Sequence, residues 1–241
     1  MKPIIRGRCV LLGDEKAKEA MYIVPLLVLS ALSLLVDLLV GDSELFILVN
    51  RGMINPMLDF ACGYLSAFLF IASSAATLFI QFFFGDESSR RSRVIAGLVA
   101  IASALISYGF GSLLKLAFQR PRPFEVLDAR IVGEWRVSTS SFPSTTSMFA
   151  LGFALPILYE KPRIGVILVL EALFIGFSVV YAGFHYPSDV IAGMLLSICL
   201  TLPINITKRR LVAAKERNHS AACAKDLSAL KGNVEYEDYR C

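Results

Sequence analysis

Five side chains in three short clusters carry the chemistry a phosphoryl group requires. Lys115 and Arg122 supply two cations, with Pro121 and Pro123 stiffening the loop that bears Arg122. Pro143-Ser144-Thr145-Thr146-Ser147 puts a hydroxyl at a helix start. His185, four residues before Asp189, pairs an imidazole with a carboxylate. Arginine presents a planar fork that matches two phosphate oxygens, and lysine a point charge. Free N–H groups at a helix start bind anions with help from the helix dipole. Pro187 opens a helix, so Asp189 in its first turn is expected to reach back and hydrogen-bond one imidazole nitrogen. That bond would set the tautomer and leave the other nitrogen free to attack phosphorus.

Each cluster also has a plainer reading. Lys115, Arg120, Arg122 and Arg130 would equally snorkel or meet lipid headgroups. Ser144 would equally cap a helix without a ligand, and single histidines are often structural. The elements that carry the clusters separate these readings.

The chain has 241 residues, 56% of them hydrophobic and 18% charged, with mean hydropathy +0.63. A soluble domain of this length is rarely so apolar, which points to an integral membrane protein. The net charge of +4 is concentrated beside apolar runs. That is a topology signal and gives no reason to expect a nucleic-acid partner. The five cysteines, Cys9, Cys62, Cys199, Cys223 and Cys241, have neither disulfide nor metal spacing. No cleavable signal peptide is evident in the mixed, charged first 19 residues.

A membrane-spanning helix takes about 20 apolar residues. Runs at 21–40, 60–84, 94–118, 141–159, 164–184 and 190–206 meet that need, giving an all-α bundle of six transmembrane helices. The stretch 43–58, broken by Asn50-Arg51-Gly52 and Pro56, reads as lying at the interface. Arg90, Arg91 and Arg93, then Lys161 and Arg163, then Lys208, Arg209 and Arg210 fall on one face, made cytoplasmic by the positive-inside rule. The three clusters then share an outward-facing pocket on the extracytoplasmic side of the cell membrane. Residues 1–20 form a cytoplasmic segment, 21–207 the membrane domain, and 208–241 a polar, mobile cytoplasmic tail. Glu171 and Asp37 are acids within spans, where charge is functional by default, and no partner for Glu171 is evident.

The clusters resemble the type 2 phosphatidic acid phosphatases, membrane lipid phosphatases related to vanadium haloperoxidases. That family runs Lys, six residues, Arg-Pro; then Pro-Ser-Gly-His; then Ser-Arg, five residues, His, three residues, Asp. Lys115, Arg122 and Pro123 match the first motif, Pro143 and Ser144 half of the second, and Ser178, His185 and Asp189 the third. The departures are Thr145-Thr146 where the family has Gly-His, and Val179 where it has arginine.

The resemblance implies that His185 is the nucleophile and Asp189 its orienting carboxylate, both catalytic. It makes Lys115, Arg122 and Ser144 phosphate ligands, with no metal and no cofactor. It also implies that the missing histidine is the general acid, whose loss costs typically 10²–10⁴-fold. Arg120, Arg130 or Arg136 is available in sequence to replace the missing cation. A diphosphate expels a phosphate monoester, which needs less protonation than an alkoxide. The expectation is therefore a lipid phosphatase or phosphotransferase acting on a phosphorylated lipid, an isoprenyl diphosphate above phosphatidic acid, through a phosphohistidine. The alternative is a catalytically impaired relative that binds phosphorylated headgroups or serves as a scaffold.

Overall fold

The computed structural model of the protein describes residues 21, 23–35, 38–84, 87–133 and 139–232. All regular elements among them are helices, because a backbone in hydrocarbon must satisfy its polar groups within its own segment. They are α1 (Ile23–Val40), α2 (Asp42–Asn50), α3 (Pro56–Phe60), α4 (Ser66–Phe83), α5 (Glu87–Phe118), α6 (Pro123–Val126), α7 (Thr145–Glu160), α8 (Pro162–Tyr181) and α9 (Pro187–Gly232). A π-helical turn, Ala61–Leu65, joins α3 to α4.

Five stretches are long and apolar enough to cross a membrane: Ile23–Val40, Pro56–Phe83, Arg90–Val126, Pro162–Tyr181 and Pro187–Val212. The protein is thus an integral membrane protein. The expected fourth span is shorter than its apolar run. Residues 141–143 stay outside the helix, Ser144 caps it, and Pro162 follows Lys161, so α7 has 16 residues. At 1.5 Å per residue that is roughly 24 Å of helix. It is also the core, packed between α5 and α8 with Met148, Leu151, Leu155 and Ile157 buried. Gly152 lets α5 approach, since a Cβ there would sit 2.8 Å from Ser107 Oγ.

Two further differences stand out. The tail expected to be loose continues as helix to Gly232, in keeping with its run of alanine, lysine, glutamate and arginine, all strong helix formers. Contacts divide the chain after Thr201, so the second unit holds the rest of that helix. Glu171 does have a partner: the Ser73 hydroxyl on α4 donates to its Oε2. Asp37 and the 1–20 segment lie outside the described residues.

Candidate functional site

The two cations come from the end of α5 and the loop after it. Lys115, in the last turn of α5, donates to the carbonyls of Ser140 and Ser141. Arg122 caps α6, its N–H donating to Glu125 at 2.8 Å, and its side chain is only 2% exposed. Its guanidinium donates to Thr139 O at 2.7 Å and Phe184 O at 2.8 Å, and lies 3.5 Å from His185 Nε2. One buried fork therefore ties residues 139 and 140 to the turn that bears the histidine.

Ser144 is buried at the N-cap of α7, its Oγ accepting from Ser147 N at 3.5 Å. Its own N–H donates to Asp189 O at 3.0 Å, which sets the starts of α7 and α9 side by side. Gly193 permits this approach, since a Cβ there would lie 2.8 Å from Ser144 O.

His185 sits in the turn between α8 and α9. Gly183 takes φ +95°, and any side chain there would meet Arg130 O at 2.5 Å. The turn brings the N–H groups of Phe184 and His185 onto Val179 O, at 3.0 and 3.2 Å. Val179 thus holds the histidine through its backbone, although its side chain lacks the arginine's charge.

The expected His185–Asp189 hydrogen bond is absent. Nδ1 lies 3.6 Å from Asp189 Oδ2, beyond hydrogen-bond length. The carboxylate is already occupied: Oδ2 accepts from Ser141 Oγ and from Tyr186 N at 3.0 Å, and Oδ1 from Arg120 at 2.7 Å. Since Nε2 faces a guanidinium that only donates, the neutral ring carries its proton on Nδ1, toward the carboxylate. Burial is the main force on the imidazole pKa, pushing it down to about 4. The Arg122 and Lys115 charges add to this, and Asp189 opposes it. At neutral pH the ring is uncharged, with its Nε2 lone pair among cations.

Arg120 was read from sequence only as a spare cation. It bridges Asp189 and Asp42, at 2.7 and 2.6 Å, donates to Ser188 Oγ at 2.8 Å, and stacks 4.0 Å from the Tyr186 ring centroid. Asp42, at the start of α2, accepts from Ser188 N at 3.0 Å and so caps α9 from another helix. No local sequence signal joins residue 42 to residue 188.

Neither described replacement cation is free. Arg120 is held as above, and Arg130 pairs with Asp59 at 2.8 Å over the Tyr181 ring. Arg136 lies outside the described residues. Thr146, where the family carries a histidine, is exposed. Buried Asn50 clips the loop in place, donating to Arg130 O and Tyr181 O and accepting from Arg130 N, each at 2.7 Å. The five candidate residues therefore meet at the adjoining starts of α7 and α9.

Known proteins resemble this chain in sequence and in fold. The PAP2 superfamily matches residues 95–212, which contain all three clusters. The undecaprenyl-diphosphatase BcrC of Bacillus subtilis (strain 168) is 30% identical over 146 residues, 61% of this chain and 72% of that protein. An undecaprenyl-diphosphatase of Sulfolobus acidocaldarius is 28% identical over 73% of this chain and 85% of that one. Among solved structures, Aquifex aeolicus LpxE superposes with TM-score 0.54 and 30% identity, over 67% of this chain and 92% of its own. A PAP2-type phosphatidylglycerolphosphate phosphatase of Bacillus subtilis has the same fold at TM-score 0.54 and 18% identity, over 78% of this chain and 96% of its own. On its motifs, its helical fold and these relatives together, the chain belongs to the PAP2 superfamily.

Proposed function

We propose that the protein is a membrane lipid phosphatase that removes the terminal phosphate of an isoprenyl diphosphate. The observation that carries this is the neutral His185 ring, with Nε2 3.5 Å from the Arg122 guanidinium and two helix starts beside it. The relatives named undecaprenyl-diphosphatases support the choice of a diphosphate. Lys115 and Arg122 now donate to backbone carbonyls, and a phosphate takes over as their acceptor, with the α7 N-terminus adding N–H donors.

Nε2 attacks the terminal phosphorus, the bond from that phosphorus to the bridging oxygen breaks, and the lipid monophosphate leaves with that oxygen. Water then attacks the phosphohistidine, the P–N bond breaks, and inorganic phosphate departs with His185 restored. Asp189, buried beside the Nδ1 proton, stabilises the positive charge that develops on the ring. A phosphate monoester leaves without a strong acid, which suits a site with Thr146 at the family's histidine position.

The pocket opens on the extracytoplasmic side, and α7 is a short sixth span enclosed by its neighbours, placing both termini in the cytoplasm. Thr146 and Val179, in place of the family's histidine and arginine, also favour a second reading, a catalytically impaired relative that binds phosphorylated lipid headgroups or acts as a scaffold. Phosphate release from a panel of lipid mono- and diphosphates, by wild type and His185→Ala, separates the two. The diphosphatase reading requires release from a diphosphate that His185→Ala abolishes. Binding without release establishes the other.

A further inference from the structure

Beside the first three turns of α9, starting next to the candidate site, lies a cavity of about 240 Å³ that the phosphate chemistry leaves unused. Val190, Met194 and Ile198 of α9 form one wall, Leu173 of α8 another, and Ser30 with Ser33 of α1 the third. Ser30 spends its hydroxyl on Leu26 O at 2.8 Å, and eight of the ten lining residues are apolar, so the cavity is mainly hydrocarbon-lined. An apolar cavity of roughly 150 Å³ stays dry and takes up benzene, so this one suits a branched hydrocarbon segment.

Its position identifies the occupant. Val190 follows Asp189 directly, and Ile198 lies eight residues further down the same helix, about 12 Å at 1.5 Å per residue. A molecule whose phosphates sit at the starts of α7 and α9 would send its chain along this wall. The outer face of α1 is apolar and exposed, with Leu27, Val28, Leu32 and Leu35 uncovered, so the cavity adjoins the hydrocarbon layer.

We propose that the α1–α8–α9 cavity binds the first segment of the substrate's isoprenoid chain and selects for branched, apolar tails. This rests on the diphosphatase reading for the location of the headgroup. Gly176 contributes to the shape: a Cβ there would lie 2.6 Å from Met194 Cε and 2.8 Å from Val190 Cγ1, so α8 and α9 close tightly at the cavity's edge.

A farnesyl diphosphate analogue carrying a small diazirine on its first isoprene unit, photolysed with the full-length protein in detergent, tests this. Crosslinks should map to the peptides containing Ser30 and Met194, and unlabelled farnesyl diphosphate should remove them. Ser30→Phe and Leu173→Trp, each filling the cavity from a different helix, should cut labelling at least tenfold. Leu170→Phe, on the exposed face of α8, serves as the control. Crosslinks elsewhere, or labelling undiminished in either filled variant with an unchanged melting profile, overturn the proposal. Phosphate release is measured on the same samples. Competed labelling at these peptides without release defeats the diphosphatase reading and keeps the cavity, whereas release with labelling elsewhere does the reverse.

Discussion

Arg120 donates to Asp189 Oδ1 at 2.7 Å, on the carboxylate edge away from the histidine that the carboxylate is expected to serve. Asp189 has no solvent exposure, so its charge depends on Arg120, the Ser141 hydroxyl and the Tyr186 amide. Arg120 in turn is anchored by Asp42, so α2 braces the start of α9 through one guanidinium.

Removing that guanidinium should therefore cost both stability and rate. A buried charge that loses its partner typically costs about 3–5 kcal/mol, and partial exposure of Arg120 places the expected loss at the lower end. Arg120→Ala should lower the thermal midpoint and kcat together. Arg120→Lys should recover little, because a point charge cannot span Asp42 and Asp189. Thermal unfolding alongside phosphate release provides the check, and full activity in Arg120→Ala would remove the bracing role.

Asp189→Asn sets an amide N–H₂ against donors on every side. It should cut kcat by about 10²–10⁴-fold, as for other carboxylates that orient a catalytic histidine. A loss confined to KM would instead assign Asp189 to substrate binding.

Thr146→His with Val179→Arg restores the two family residues. Thr146 is exposed, so the new imidazole is accommodated. The rate on lipid monophosphates should rise by about 10²-fold or more, and that on diphosphates by less. Equal gains on both substrates would defeat the leaving-group argument.

The His185 imidazole should titrate far below an ordinary histidine. The folded pKa of about 4 lies under the usual 6.5, so the folded ring stays neutral while the unfolded chain takes up a proton. Its contribution to stability is therefore fully present above 6.5 and is lost as pH falls toward 4. Ring NMR of a His219→Ala variant, which leaves a single histidine, reads this directly. A midpoint near 6.5 would show the ring to be solvated.

Topology is open to labelling in intact cells. A cysteine at Asp128, whose side chain is largely exposed, should react with an impermeant maleimide from outside, and Cys223 should not. The opposite pattern would invert the proposed orientation.

Much of this was legible in the chain because it is local. The Lys115–Arg122 spacing, the Ser144 cap and the His185–Asp189 interval are each set within a few residues, and long apolar runs mark helices on length alone. What the chain hid is long-range or competitive. Asp42 meets Ser188 and Arg120 only once α2 folds over the site. An i,i+4 spacing says that Asp189 can reach His185, but not that three other donors hold it. The apolar run of the fourth span starts three residues before its helix because Phe142-Pro143 is apolar yet not helical, while the Ser144 cap marks the start itself. The helix in the tail went unread because its polarity was weighed and its helix propensity was not.

The side-by-side starts of α7 and α9 carry one last consequence. Their partial positive ends point the same way, and Lys115 and Arg122 add whole charges nearby, all against one buried carboxylate. Like poles gathered in this manner repel, so an anion between the two helix starts relieves the repulsion. On the proposed reading, a phosphate is then counterion to the architecture as well as substrate. On the same reading, product release leaves that charge exposed again, which couples the end of each cycle to the pull of the next anion.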